Sequence, residues 1–304
     1  MITTIKYGNI TWVNLESPSV KEVSDVADKY PVHSLVAEEL TSLTMRSKVD
    51  FYTNNLYLVL HFPTPFKTSE INSGCEIDFV VGKDFLITSH YYNFPAFEKL
   101  LKNTKRNVEF REKHFQEHAG FLAFQILKEL YASSLRDLDK ISLRINRVEN
   151  DIFRGREKEN VKDISLLKRD ILDFRRTFSP HNDILTSFYE AGANFFGKDF
   201  AHYLNLLQGE YAKIKNIVEN NKETLETLHE TNESLLSTKT NEIMKVLTIM
   251  AFITFPLMLL SSIFGMNTIA TPIIGRRFDF WIITAIMVLA TFGMFLFFKH
   301  KKWL

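Results

Sequence analysis

The polar and apolar residues divide the chain into a largely charged part, residues 1–245, and a strongly apolar C-terminal part. The apolar part contains two stretches without a charged residue, 246–264 and 280–298, each nineteen residues long. At ~1.5 Å per residue, a helix of that length extends about 28 Å, close to the ~30 Å hydrocarbon thickness of a bilayer. Fifteen residues, 265–279, separate the two stretches, which is too few for a folded domain. The pattern therefore predicts a membrane hairpin.

The predicted hairpin has four parts. The first transmembrane helix covers residues 246–267, an external loop 268–279, the second transmembrane helix 280–298 and a basic cytosolic tail 299–304.

The charged part begins with a predicted α/β domain, residues 1–115. Residues 56–62 predict a buried strand, and residues 77–88 predict two strands joined by a turn that contains Gly82. Residues 12–15 predict a further short strand. Ser17 is expected to be the N-cap of the helix that follows, with Pro18 in its first turn.

Residues 116–198 predict long cytosolic helices. Apolar residues spaced three and four apart predict one long helix over 121–148, and a charged bend at 154–160 separates it from a second helix at 161–178. Ser179 and Pro180 end that helix. A short helix at 183–189 and a loop at 191–194 are expected next.

A third long helix is expected to begin near Asp199 and to continue through the first membrane segment, with residues 199–245 as a stalk. Its apolar residues alternate in spacing between four and three, with Asn221 and Asn232 at two of the same positions. Such a ladder is typical of helices packed around an axis, where the asparagines would fix the register between copies. A helix in the core of a single chain gives a similar ladder.

Composition and charge exclude several classes of function. The chain has 37 basic and 36 acidic residues, so its net charge of +1 indicates no nucleic-acid partner. Cys75 is the single cysteine, which excludes an intramolecular disulfide framework and a Cys-rich metal site. No arrangement of nucleophile and base is recognisable, so we expect no enzymatic activity.

Basic residues predict the orientation of the hairpin. Lys239 and Lys245 precede the first span, and residues 299–302 read Lys-His-Lys-Lys after the second. Arg276 and Arg277 in the loop oppose this orientation but are fewer. The positive-inside rule therefore predicts both termini in the cytoplasm. The first residues of the chain lack the apolar core of a signal peptide, which agrees with a cytoplasmic N-terminal domain.

One face of the first membrane segment is typical of a channel wall, with polar residues at its ends and bulky apolar residues between them. At alternating spacings of four and three it contains Asn241, Met244, Thr248 (or the neighbouring Leu247), Ala251, Phe255, Met258 and Ser262. One hairpin cannot enclose a pathway for a hydrated ion, so transport requires several copies around an axis. The alternative is a stripe that faces lipid or packs the hairpin.

Four short segments resemble the CorA family of magnesium channels. They are residues 240–248 (TNEIMKVLT), Pro256, residues 264–267 (FGMN) and residues 301–304 (KKWL). Residues 76–88 resemble a strand pair of the family's cytosolic domain more weakly. The resemblance implies an α+β membrane protein with an N-terminal α/β cytosolic domain, a long-helix stalk and two C-terminal transmembrane helices. It further implies a homopentamer in the inner membrane, with the first span lining the pore.

The resemblance also implies a site. Gly265, Met266 and Asn267 would form the selectivity filter, in which a ring of Asn267 amides holds Mg²⁺ through its water shell. This agrees with the reluctance of Mg²⁺ to lose water. Glu230 matches an acidic ring near the cytosolic pore entrance. Mg²⁺ would be both the transported and the regulatory ion, with Co²⁺ and Ni²⁺ as further substrates and no organic cofactor.

The chain departs from the family in its external loop. Residues 268–277 keep a proline but have no carboxylate, and Arg276 and Arg277 are present, which weakens the attraction of cations. Phe255 is also bulkier than the methionine common at its position. Two alternatives stay open: a zinc-transporting relative of the same fold, which Met266 disfavours, and a non-conducting, membrane-anchored helical scaffold.

Two other patterns were weighed as binding sites. His114 and His118 would share a helix face and provide two ligands for a divalent metal, but no third ligand is evident. Residues 192–199 nearly match a phosphate-binding loop, although Asp199 stands where Ser or Thr is required. We expect a solvated helix face and a helix connection, respectively.

Overall fold

A computed structural model describes residues 1–63, 74–266, 273–275, 277–301 and 303. Its contacts divide the chain into two compact units, Met1–His229 and Glu230–Leu304.

The first unit contains a mixed sheet. Within the described residues it has six strands in the order β1-β2-β6-β5-β4-β3. Strands β2 and β6 are parallel, and all the other neighbours are antiparallel. The strands are β1 (Ile2–Tyr7), β2 (Ile10–Glu16), β3 (Lys48–Phe51), β4 (Leu56–Phe62), β5 (Cys75–Val81) and β6 (Phe85–His90). The predicted buried strand and the predicted hairpin around Gly82 are confirmed as β4 and as β5–β6.

Two short helices, α1 (Val20–Lys29) and α2 (Ser34–Glu39), cover one face of the sheet. The predicted N-cap of α1 is wrong. Ser17 has a backbone φ of 43°, in the left-handed region, and its N–H donates to the carbonyl oxygen of His90 at 2.8 Å, so it bonds to the end of β6 instead of capping α1. Ser19 is the N-cap and forms a reciprocal capping box with Glu22.

The helices on the opposite face of the sheet pack around large aromatic side chains. Trp12 contacts Phe97, and Phe62 contacts both Tyr131 and Phe178, with ring centroids 5.6–6.0 Å apart. These helices are α3 (Pro95–Arg106), α4 (Val108–His114), α5 (Ala119–Phe153), α6 (Glu157–Phe178) and α7 (His181–Phe196). The predicted long helix is confirmed as α5, and the predicted break at Ser179 and Pro180 separates α6 from α7.

The predicted loop at residues 191–194 is wrong, because α7 continues to Phe196. Gly192 is helical and allows close packing: a Cβ atom there would lie 2.7 Å from Cδ1 of Leu204. The chain turns instead at Gly197, where φ is 107°.

Helix α8 (Lys198–Phe264) is one continuous helix of 67 residues, and α9 (Asp279–His300) follows it. In the first unit, the apolar ladder of α8 is buried within the chain, as Leu207, Ile214 and Val218 illustrate. The Asn221 side chain donates to the hydroxyl oxygen of Ser142 on α5 at 2.8 Å. Asn221 therefore fixes the register of two helices within one chain, and its predicted role between copies is wrong.

Candidate functional site

The C-terminal segment of α8 and the whole of α9 are long and apolar enough, by length and composition, to cross a membrane. This holds for the described residues, in which no other helix meets the same criteria. Almost none of either apolar segment is buried within the chain, whereas the core helix of a soluble protein would be mostly buried. The exposure of so much apolar surface is what a lipid environment requires.

The second unit shows which side of α8 packs against α9. Phe252 on α8 contacts Phe298 on α9, with ring centroids 6.4 Å apart, and Trp303 stacks on Phe298 from the C-terminal side. Buried and half-buried apolar residues follow the helical period on α8: Ile249, Ile253, Leu257, Leu260 and Phe264. Their counterparts on α9 are Ile283, Met287, Ala290, Met294 and Phe298. We interpret these two stripes as the faces on which α8 and α9 meet.

The predicted pore stripe lies on the opposite side of α8. With 3.6 residues per turn, its centre is rotated about 180° from the stripe that meets α9. Leu247, Phe255 and Met258 are 54%, 62% and 63% exposed, and Asn241, Met244 and Ser262 are exposed as well. The alternative that this stripe packs the hairpin within one chain is therefore excluded.

Two members of the stripe are only half-buried, Thr248 and Ala251. The hydroxyl group of Thr248 donates to the main-chain oxygen of Met244 at 2.7 Å. The neighbouring Leu247 is 54% exposed and presents the larger exposed side chain at this level.

Glu230 lies on the same helix face as the stripe. It is exposed, and it precedes Asn241 by eleven residues, which is close to three helical turns. The separation along the helix axis is about 16 Å at 1.5 Å per residue. An acidic residue therefore stands on the stripe's face, N-terminal to its polar end.

Gly265 and Met266 directly follow Phe264, the last residue of α8. The N–H of Gly265 donates to the carbonyl oxygen of Ser261 at 2.9 Å, and a Cβ atom at Gly265 would lie 3.1 Å from that oxygen. Met266 is exposed. Asn267 lies outside the described residues, as do residues 268–272 and Arg276, so its predicted role in a filter stays a prediction.

Asp279 is a carboxylate that the sequence interpretation of the external loop did not use. Its two oxygens accept hydrogen bonds from the N–H groups of Gly275 and Phe280, at 3.1 and 2.7 Å. These bonds hold the N-terminus of α9. The signal available in the sequence was the position of Asp279 immediately before the second apolar stretch.

The predicted histidine pair does not share a helix face. His114 ends α4, where its Nδ1 lies 2.6 Å from the oxygen of Phe110. His118 precedes α5 and stacks on Phe196, with ring centroids 4.4 Å apart, and burial lowers the pKa of His118 to about 4. Within the part of the chain that the structure describes, no three His, Cys, Asp or Glu side chains are arranged to hold a metal ion.

Comparison with known proteins gives consistent results. The model of a family described as "CorA-like Mg2+ transporter protein" matches residues 7–300. The cobalt/magnesium transport protein CorA of Thermotoga maritima is 27% identical over 295 residues, which is 97% of this chain and 83% of that protein. The putative metal ion transporter YfjQ of Bacillus subtilis is 24% identical over 96% of this chain and 89% of its own length.

Two solved structures share the fold. The complete structure of the CorA magnesium transporter from Methanocaldococcus jannaschii superposes with a TM-score of 0.80 at 20% identity, over 99% of this chain and 94% of that one. The full-length CmaX protein gives a TM-score of 0.76 at 16% identity, over 97% and 89% of the two chains. The predicted order of an α/β domain, a long helix and two C-terminal apolar helices is thereby confirmed.

Proposed function

The chain belongs to the CorA-like Mg²⁺ transporter family, and from this we propose that it forms a homopentameric channel for divalent cations in the cell's inner membrane. The resemblance recognised in the sequence motifs is confirmed by this membership. Because the family consists of transporters, the prediction that the chain is not an enzyme is confirmed as well. Mg²⁺ is the first proposed substrate, and Co²⁺ follows from the names of the relatives. Ni²⁺ is proposed as a further substrate.

One observation carries the proposal: the face of α8 with Leu247, Phe255 and Met258 is exposed and lies opposite the face that meets α9. In a ring of copies, α9 would occupy the outer side of each α8 and leave this face to line the axis. The bulky apolar side chains would then form constrictions that exclude water when the pore is narrow. Asn241 and Ser262 would provide polar rings near the two ends.

The proposed selectivity filter consists of Gly265, Met266 and Asn267. A ring of Asn267 amide oxygens would bind the water shell of Mg²⁺ and leave the ion hydrated, which suits a cation that dehydrates reluctantly. Glu230 would supply a ring of carboxylates at the cytosolic entrance. The exposed positions of Met266 and Glu230 support these assignments.

The proposed transport is passive influx, gated by divalent ions that bind the cytosolic part. Both termini would lie in the cytoplasm, as the basic residues around the two spans indicate. The proposed boundaries are those that the sequence pattern predicts: an α/β domain at 1–115, long cytosolic helices at 116–198, a stalk at 199–245 and membrane spans at 246–267 and 280–298.

Flux into liposomes tests the proposal. Wild-type protein is expected to admit Mg²⁺, and Asn267→Ala is expected to abolish the flux. Asn54→Ala, the same substitution at an exposed position of the first unit, is the matched control and should conduct like wild type. No flux through wild type would support the scaffold alternative, and unchanged flux through Asn267→Ala would refute the proposed filter. A preference for Zn²⁺ over Mg²⁺ would identify the zinc-transporting alternative.

Gating and assembly need separate measurements. Mg²⁺ is expected to protect the cytosolic part of the reconstituted protein from protease, and cross-linking should give five subunits. Protection that is independent of Mg²⁺ would contradict gating by cytosolic ions. A monomer in membranes would contradict the channel itself.

A further inference from the structure

Strand β5 contains two acidic residues, Glu76 and Asp78, among apolar neighbours. Side chains two residues apart in a strand point to the same face of the sheet, so both acids lie on the face of Val80, which packs under α1 and α2. Glu76 is 3% exposed and Asp78 is 1% exposed. The first unit therefore buries two carboxyl groups side by side.

Glu76 has a hydrogen-bond partner in the segment that follows α2. One of its oxygens, Oε2, accepts the N–H of Thr44 at 2.7 Å. The same oxygen lies 3.6 Å from Nε2 of His61, the cross-strand neighbour on β4, and that nitrogen lies 2.9 Å from the main-chain oxygen of Thr44. Glu76 is therefore held as a hydrogen-bond acceptor by the segment that follows α2.

Asp78 differs from Glu76. It lies between Val59 and Ser89 in the sheet register, and within the residues that the structure describes neither of its carboxylate oxygens has a hydrogen-bond donor. In the same part of the chain, Oε1 of Glu76 and the hydroxyl group of Ser89 are also buried without partners. An ionised carboxylate left in this position would lose its hydration without compensation.

The nearby charged groups do not neutralise Asp78. Lys48 on β3 is within 2.8 Å of Glu39 on α2 and of Asp50, so two other carboxylates hold it. The remaining titratable groups that face the cluster are Tyr57 and His61 on β4 and Tyr91 after β6. The hydroxyl of Tyr91 donates to the carbonyl oxygen of Leu40 at 2.8 Å. In this cluster, acidic side chains therefore outnumber basic ones.

We propose that Asp78 and Glu76 form a proton-binding site. In this site Asp78 is a neutral carboxylic acid at neutral pH, and its hydroxyl group donates a hydrogen bond to the Glu76 carboxylate. Burial and the charge of Glu76 raise the pKa of Asp78 well above its ordinary value. A proton can bind here without a cavity. Once protonated, Asp78 is no longer a carboxylate that lacks hydrogen-bond donors, because its hydroxyl group can itself donate a hydrogen bond. The absence of a three-ligand metal cluster among the described residues disfavours a metal in this role.

The site couples pH to the packing of the layer above the sheet. Glu76 accepts a hydrogen bond from the N–H of Thr44, and Tyr91 donates one to the carbonyl oxygen of Leu40. The segment that follows α2 is therefore anchored at two points by Glu76 and Tyr91, one a member of the acidic pair and the other close to it. Loss of the proton would leave two like charges in contact under this segment. The folded state binds more protons than the unfolded state between the ordinary pKa of Asp, near 4, and the raised pKa of Asp78. Its stability therefore falls as the pH rises through that window.

Infrared difference spectroscopy on the full-length protein in lipid detects the proton directly. The carbonyl stretching band of a protonated carboxyl group is expected at neutral pH in wild type and should be missing in Asp78→Asn. Asp84→Asn, in the exposed turn after β5, is the matched control and should keep the band. A band that persists in Asp78→Asn would overturn the proposal. A band that is lost from wild type on addition of Mg²⁺ at constant pH would assign the site to a cation and would also overturn it.

Hydrogen exchange provides a second measurement that needs only the wild-type protein if Asp78→Asn does not fold. After correction for intrinsic rates, exchange of residues 34–47 should rise between about pH 4 and the midpoint at which the band titrates, by at most about tenfold per pH unit for one proton, and should level off above that midpoint. Exchange that stays constant between about pH 4 and the midpoint of the band would overturn the coupling. A band that titrates near pH 4 would overturn the site.

Discussion

The side-chain amide of Asn221 on α8 donates to Oγ of Ser142 on α5 at 2.8 Å, and Oγ of Ser142 in turn donates to the main-chain oxygen of Leu138 at 3.0 Å. Both side chains are half-buried between two long helices. Because the two polar groups satisfy each other there, the contact favours one register of α5 against α8.

Ser142→Ala should destabilise the first unit by about 1 kcal/mol, since it leaves the half-buried Asn221 amide without its acceptor. Thermal melting followed by circular dichroism measures the change. Ser165→Ala, at an exposed position of α6, is the matched control and should melt like wild type. Equal melting of both variants would contradict a role for the contact.

His181 should make the protein less stable in acid. Its Nε2 bonds the oxygen of His61 at 3.0 Å and its Nδ1 accepts from Tyr131 at 2.8 Å, while burial lowers the pKa of His181 to about 3. The unfolded state therefore binds more protons between about pH 6.5 and 3, and stability falls as the pH drops through that window, by up to ~1.4 kcal/mol per unit.

The measurement is the difference in melting temperature between pH 7.5 and pH 5. The difference should be smaller in His181→Gln than in wild type, and unchanged in His202→Gln, where the histidine is exposed. An identical pH dependence in His181→Gln would refute the assignment.

Phe255→Ala should raise Mg²⁺ flux, because the proposed pore loses its bulkiest apolar constriction. If the substitution lowers the barrier to opening by ~1.4 kcal/mol, the flux increases about tenfold. Phe292→Ala on α9, an equally exposed phenylalanine, is the matched control and should leave the flux unchanged. The same increase in both variants would indicate a general effect on the bilayer segment.

Gly265→Ala should reduce flux. The new methyl group would lie 3.1 Å from the main-chain oxygen of Ser261, so the end of α8 must shift, and with it the proposed filter. At Gly293 in α9, a Cβ atom would meet nothing within 4 Å apart from the backbone of its own helix, and Ala is favoured over Gly in a helix by ~1 kcal/mol. The control Gly293→Ala should keep its flux and melt no lower than wild type. Normal flux in Gly265→Ala would show that the proposed filter tolerates the shift.

Local patterns predicted the elements whose signals are complete within a few residues. The buried strand β4, the hairpin around Gly82 and the helix break at Pro180 each follow from apolar runs and turn residues that act locally. The errors arose where a distant contact decided the outcome. Ser17 is held by His90, and Gly192 is helical because Leu204 packs against it.

The sequence by itself determined the hairpin of two apolar helices and the family, because the length of an uncharged stretch and a matched motif need no tertiary information. Only the tertiary structure decided which face of α8 meets α9, since the stripe that the sequence shows on this segment could equally have lined a pore, faced lipid or packed against α9. It also decided that Glu76 and Asp78 are buried together and that, among the described residues, neither oxygen of Asp78 has a hydrogen-bond donor. Two acids within an apolar strand were visible in the sequence, but the missing partners of Asp78 depend on what the fold brings near it.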